Sequence, residues 1–298
     1  MAAPTPPRRR VLLGLASFLL KPSLTEAQEP SLTWSPEKIE IGSPVLFILT
    51  TPHADKVAGT WQKHTLEFFQ SLADPNHWYA LAGIDVGKDS GSYEVSVEVT
   101  RAGEIQTLRR TLQVTEAPYK EIPLTVPEKF VQPDPKALER IAAEQKLKAR
   151  VFATTAPKPL WTGRFLPPLK SAPSTDSFGT RRVFNGSLAS VHRGLDYRAK
   201  TGTPVMAANS GRVLLARPFY YEGNCVILDH GLGLATIYMH LSDFSVKEGE
   251  RVQRGQVIAR SGATGRATGP HLHLTVRWQG ESLDPAKLFL LKLPTTGT

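Results

Sequence analysis

Three histidine-bearing stretches carry the residues best suited to chemistry. In Gly269-Pro270-His271-Leu272-His273-Leu274-Thr275-Val276, polar and apolar residues alternate with the period of a half-buried strand. That period puts His271 and His273 on one strand face behind a glycine turn. His192-Arg193-Gly194-Leu195-Asp196 sets an imidazole and a carboxylate four positions apart, on one side of either an extended strand or a helical turn. Ala235-Thr236-Ile237-Tyr238-Met239-His240 alternates as well, and predicts Thr236, Tyr238 and His240 on one face. Zinc in a hydrolytic site takes three protein ligands and keeps a fourth position for water. Imidazole and carboxylate ligands, unlike thiolates, leave the ion enough charge to lower the pKa of that water. Each stretch alone is a weak signal; all three in one β-rich region point to metal-assisted hydrolysis.

Other chemistries fit less well. Cys225 is the only cysteine, and its setting in Asn224-Cys225-Val226-Ile227-Leu228 reads as a buried strand residue, not a nucleophile. Gly262-Ala263-Thr264-Gly265-Arg266-Ala267-Thr268-Gly269 lacks the Gly-Lys-Ser/Thr ending of a phosphate loop and leads into a strand, so its glycines are read as letting a loop approach the cleft wall. Ser261 has no His/Asp order around it that would make it a serine nucleophile. His230 is read as a turn residue at a strand end, Tyr238 as either a cleft or a sheet aromatic, and His53, His64 and His77 as surface or turn residues without a role.

The elements that must position the three stretches are strands. From Trp161 onward, candidate strands are Pro204–Ala207, Gly211–Ala216, Asn224–Leu228, Ala235–Leu241, Val257–Ala259 and His271–Trp278, most of them joined by glycine turns. An all-β, barrel-like unit over residues 161–298 is expected. Residues 28–116 read as a second all-β unit, with runs at Pro44–Leu49, Val57–Trp61, Trp78–Ile84, Tyr93–Val99 and Thr107–Val114 separated by turns, among them Asp74-Pro75-Asn76. Asp89-Ser90-Gly91-Ser92-Tyr93 resembles the tyrosine corner of immunoglobulin-like domains, with Trp61 as the core tryptophan. Val95 stands where antibody domains have a cysteine, so the resemblance is to the sandwich alone. Between the two units, residues 117–160 form a Pro-rich linker with one helix: Asp134 as N-cap, Pro135 at the first position, Leu138, Ile141 and Ala142 on one face, and a Glu144–Lys148 pair.

Composition adds the compartment. Arg8-Arg9-Arg10 precedes an apolar run, Val11 to Leu20, too short to span a bilayer, and Thr25-Glu26-Ala27 offers a small-residue cleavage site. Residues 1–27 therefore read as a signal peptide, by the general or the twin-arginine route, with no stable membrane span after its removal. One cysteine means no internal disulfide, so the exported units must be stable by packing alone. Of the formal charge of +9, the first 27 residues hold +3, leaving +6 on the remainder. That charge suits an anionic cell-wall polymer or membrane surface; no stretch combines Lys and Arg with stacking aromatics, which speaks against nucleic acid.

His192-x-x-x-Asp196, Tyr238-Met239-His240-Leu241 and Gly269-Pro270-His271-Leu272-His273 together resemble the lysostaphin/LytM-type zinc metallopeptidases. Phe178-Gly179, Gly202-Thr203-Pro204-Val205, Gly255-Gln256 and Ser261-Gly262 fit the same pattern, over roughly residues 170 to 285. The resemblance implies one Zn2+ per chain on His192, Asp196 and His273, with His240 and His271 flanking the metal-bound water in roles it does not apportion. It also implies an endopeptidase of bacterial peptidoglycan, working in the periplasm, the cell envelope or outside the cell. The alternative is a non-catalytic wall-binding regulator that activates another hydrolase; its hallmark would be missing ligands, and none is missing here.

Overall fold

The computed structural model describes residues 1–2, 29–71, 73–123, 133–171, 173–176, 178–184 and 187–295. The signal-peptide reading falls on residues outside this set, apart from the first two, as do linker residues 124–132.

Two sheets build the N-terminal half. One runs in the order Ser31–Ser35, Pro44–Thr50, Asp74–Gly83, Phe69–Ser71, all antiparallel. The other runs Ile39–Glu40, Glu104–Thr115, Gly91–Arg101, Lys56–Trp61, His64–Glu67. Alternation along Gly91–Arg101 sends Val95, Val97 and Val99 into the core shared by the sheets, where Phe47 meets Trp61 edge-on at 5.3 Å. The Trp61 indole N–H donates to Gly83 O at 2.9 Å, and the Tyr93 hydroxyl donates to Asp89 O at 2.6 Å. Asp74-Pro75-Asn76 was expected as a turn; it opens the ten-residue strand Asp74–Gly83 instead, with Gln70 Nε2 donating to Pro75 O. Pro75 sits in that strand's lead-in, where its missing N–H breaks no bond.

The C-terminal half is built on a ten-stranded antiparallel sheet, with a separate three-stranded sheet of Glu121–Pro123, Arg181–Phe184 and Ser187–Val191. His271–Trp278 lies inside the larger sheet, between Leu195–Arg198 and Leu234–Phe244; Gly223–Gly231 and Gly211–Phe219 follow beyond. Both faces are covered, which explains why Cys225–Leu228 is apolar without alternation. Val226, Leu228, Tyr238, Leu272 and Leu274 face a core that runs on into the N-terminal sandwich. On the opposite face Leu215, Phe219, Cys225, Ile227 and Ile237 lie under Leu147, Val151 and Phe152 of the connector helix.

That helix, Pro135–Phe152, starts as the sequence predicts: Asp134 caps it by accepting from Ala137 N at 2.8 Å, with Pro135 in the first turn. Its buried stripe differs. Ala137 and Ile141 are buried, whereas Leu138 is exposed at 52 % and Ala142 is exposed too. Docking turns the helix: Glu144 accepts from Arg140 Nε and from the backbone N of Tyr220, and Lys148 pairs with Glu222, not with Glu144.

The halves interlock. Asp85 binds Arg193, Glu40 binds Lys287 and His64 binds Glu281 at 2.8 Å while packing edge-on against Trp278 at 5.0 Å. His64 thus has a structural role that its scattered sequence spacing did not indicate. Among the described residues no helix is long and apolar enough to cross a membrane.

Candidate metal centre

Asp196 and His273 are direct cross-strand partners in the Leu195–Arg198 and His271–Trp278 pair, so their side chains leave the sheet on one face. His192 comes from the loop just before. Its backbone N donates to Thr180 O at 2.9 Å, and its carbonyl accepts from Gly179 N at 2.8 Å. Gly179 sits at φ +81 with the Tyr119 ring packed where a Cβ would be, so this anchor needs glycine. The three ligand-type groups converge: His192 Nε2 lies 3.2 Å from His273 Nδ1 and 3.4 Å from Asp196 Oδ2, and His273 Nδ1 lies 2.7 Å from Asp196 Oδ1. A tetrahedron with bonds of about 2.0–2.1 Å has edges of about 3.3 Å. Two separations already have that length, and the third is a hydrogen bond that a shared ion would open slightly. The donor set of two imidazoles and one carboxylate fits a hydrolytic zinc ion. His273 Nε2 meets the buried Thr275 hydroxyl at 3.1 Å, an outer hydrogen bond that fixes the ring with Nδ1 turned to the centre.

His240 reaches this group by an irregularity. Continued alternation with Thr236 and Tyr238 would bury it in the core beside Tyr238. Instead, Cys225 alone opposes Met239 and His240 between the paired residues Asn224–Leu241 and Val226–Tyr238, and His240 adopts φ +59. This bulge turns His240 to the metal-site face, correcting the single-face expectation. Its ring lies 4.7 Å from His271 and 6.1 Å from His273 between centroids. Nδ1 of His240 donates to Thr264 O at 2.9 Å, and Nδ1 of His271 donates to Gly269 O at 2.8 Å. In neutral rings both protons are thereby placed on Nδ1, and both Nε2 atoms are acceptors.

Burial pushes the His240 imidazole down to about 4; its bond to Thr264 O opposes this, and the neighbouring His271 and His273 add to it. It is therefore neutral at physiological pH. For Asp196 burial acts to raise the pKa, but hydrogen bonds and charge from His192 and His273 outweigh it and hold the carboxyl well below the usual carboxylate range. The five residues line an open cleft of about 570 Å3 with Tyr221, Glu222, Arg193 and Arg266 on its walls.

Two other residues are not in the cleft. Tyr238 is fully buried; its hydroxyl accepts from Ala208 N at 2.8 Å and shares a hydrogen bond with Thr236, and burial pushes its pKa up to about 12. His230, expected in a turn, is fully buried between Ser210 O and Thr236 Oγ1, with its pKa pushed by burial down to about 4. Sequence reasoning also passed over Gly194, where a Cβ would overlap the His273 ring and the Leu274 carbonyl. Its position inside His192-x-Gly194-x-Asp196 was the available signal.

An antiparallel sheet that presents two imidazoles and a carboxylate around one point, with two more imidazoles beside it, is a metallopeptidase-type arrangement. Residues 190–285 match Peptidase family M23. Peptidoglycan DD-endopeptidase ShyA of Vibrio cholerae is 44% identical over 96 residues, 32% of this chain and 22% of that protein. The DD-carboxypeptidase/endopeptidase Mpg of Neisseria meningitidis is 43% identical over 100 residues, 34% of this chain and 23% of that protein. The chain thus spans about a fifth to a quarter of the length of these relatives. A crystal structure from Pseudomonas aeruginosa assigned to peptidase M23 is 26% identical with a TM-score of 0.63, covering 85% of this chain and 95% of that one. The catalytic domain of lysostaphin from Staphylococcus simulans is 33% identical over 40% of this chain and 93% of that one, with a TM-score of 0.36. Residues 190–285 therefore carry a Peptidase family M23 domain, of the lysostaphin/LytM type.

Proposed function

We propose that this protein is an exported zinc-dependent endopeptidase that hydrolyses amide bonds in the peptide stems or crosslinks of bacterial peptidoglycan. The observation that carries the reading is the convergence of His192, Asp196 and His273 on one point with the His240 and His271 rings beside it. The similarity to ShyA, a peptidoglycan DD-endopeptidase, supports the substrate class. The basic N-terminal segment and short apolar run support export.

His192 Nε2, Asp196 and His273 Nδ1 would hold the ion. Bound zinc supplies a Lewis acid that acidifies water and polarises a carbonyl. The protein supplies the rest. His240 and His271 each spend Nδ1 on a backbone carbonyl, which leaves Nε2 of the neutral ring as an acceptor, one to take the proton of the attacking water and, once protonated, to give it to the leaving amine. The other holds the water or, when charged, donates to the oxyanion. Thr264 O and Gly269 O keep both rings in the required tautomer throughout.

Of the division into 28–116, 117–160 and 161–298, the sheets support the boundary near 116, since those formed by residues 31–115 share no strand with those formed by 121–283; the connector itself joins the C-terminal unit, with Glu121–Pro123 pairing with Arg181–Val183. The Tyr93–Asp89 hydrogen bond and the buried Trp61 support an immunoglobulin-like reading of the first unit.

Purified protein should contain about one zinc per chain and release soluble muropeptides from sacculi, with mass spectrometry identifying the bond cut. His271→Ala should keep the metal and lose cleavage, whereas His192→Ala should lose the metal. A zinc-loaded protein that leaves sacculi intact would overturn the reading in favour of a regulator.

A further inference from the structure

We propose that the Arg266 guanidinium docks a carboxylate of the substrate, so that the site selects peptides carrying a free carboxylate close to the scissile bond. This rests on the peptidase reading above and adds the recognition element to it. Arg266 and Tyr221 both line the metal cleft, and the guanidinium carbon lies 4.6 Å from the Tyr221 ring centroid.

The pair stands on a rigid base. Arg266 N donates to Tyr221 O at 2.9 Å, Asn224 N donates to Thr264 Oγ1 at 2.9 Å, and Thr264 Oγ1 donates to Leu241 O at 2.7 Å. Gly265, between them at φ +71, packs so tightly on the Gly223 backbone that no side chain fits. The same Thr264 accepts from His240 Nδ1, so Arg266 is two residues from the carbonyl that orients a reacting-site imidazole.

The charges of the cleft leave Arg266 available. Arg193 is held by both oxygens of Asp85, Glu222 is paired with Lys148, and Asp196 is turned to His192 and His273. The Arg266 guanidinium has no carboxylate partner among the described residues, and the exposed residue lies over the Tyr221 ring, a placement in which a planar guanidinium keeps an N–H edge for a ligand. That edge matches a carboxylate in two-point geometry, and the stack reduces the rotamer freedom lost on docking. A D,D-peptide bond to a terminal or branching amino acid places such a carboxylate on the carbon next to the leaving nitrogen.

The test compares one crosslinked muropeptide dimer in two forms, native and with its free carboxylates converted to amides. The wild type should cleave the native form with a kcat/KM roughly tenfold or more above that of the amidated form, the scale of one charge-assisted hydrogen bond. Arg266→Gln should bring the ratio close to one, and Arg266→Lys should restore only part of it. Binding of both forms to zinc-loaded His271→Ala protein, with and without Arg266→Gln, reads the same ratio without turnover. A ratio that Arg266→Gln does not change, in turnover or in binding, overturns the inference and leaves the peptidase reading standing. If zinc-loaded wild type cleaves neither form, the peptidase reading falls and the binding ratio decides for Arg266. Absence of binding to either form overturns both.

Discussion

Gly194→Ala tests whether the geometry around His273 governs metal binding. A methyl group at 194 would lie 2.6 Å from His273 Cε1 and 2.7 Å from the Leu274 carbonyl oxygen, where ordinary contacts begin near 3.4 Å. The carbonyl belongs to a strand paired on both sides and does not yield. The ring must therefore retreat by roughly 1 Å, while metal–ligand distances tolerate only about 0.2 Å. It cannot swing freely either, because Asp196 and Thr275 hold its two nitrogens. A ligand misplaced on that scale should weaken zinc binding by about 100-fold, or about 2.7 kcal/mol, with activity falling alongside. Competition against a chromophoric chelator gives the affinity, and thermal unfolding of the metal-free variant shows whether the fold persists. A folded Gly194→Ala protein that binds zinc within threefold of wild type would refute the steric argument.

Three other perturbations probe the frame. His230 binds its proton less readily folded than unfolded, so its contribution to stability is present above the unfolded value of 6.5 and is lost as pH falls toward 4. The wild type should lose about 2–3 kcal/mol from this group between pH 7 and 4.5, and His230→Gln should lack that component in paired urea titrations; identical pH dependence of the two proteins would exclude it. Asp85→Ala strips the acceptor from Ser282 N, Gly87 N and Arg193 together and should lower stability by about 2–3 kcal/mol, discounted for the half-exposed Arg193; a change under about 0.5 kcal/mol would show the junction to be immaterial. A chain starting near Trp161 would expose Leu215, Phe219, Ile227 and Ile237, so it should be less stable than the full chain and no more active on muropeptides. Higher activity would reveal an inhibitory N-terminal half.

How far the sequence carries differs from element to element. His271–Trp278 begins and ends where alternation predicted, because a strand with one apolar row leaves little choice of register. All five residues named as the site meet in the cleft. The features without a local signature depend on pairs distant in the chain. The bulge that turns His240 is written in the opposition of Cys225 to two residues of another strand, not in the local pattern around His240. His64 and Glu281 are 217 positions apart, and nothing near His64 announces the pair. The buried helix stripe lies one position from the expected one, with Glu144 and Lys148 bound to Tyr220 and Glu222 and not to each other. Short strands such as Ser31–Ser35 and His64–Glu67 borrow their order from neighbours and show little periodicity of their own.

The bulge at His240 also sets how many reactive groups the sheet can crowd together. On a regular pleat, a side chain has one close neighbour across each adjoining strand at about 5 Å, and the next along its own strand lies about 7 Å away. In register, the Leu234–Phe244 strand offers this face Ala235, Ile237 and Met239, opposite Arg277, Thr275 and His273. The added residue inserts a side chain between grid points, where it stands beside His271 and within reach of His273 at once. Grafting these histidines onto a flat sheet with the same strand order would therefore leave the third imbedded in the core: the pocket's density of imidazoles belongs to the defect in the lattice, and the defect would have to be transplanted with it.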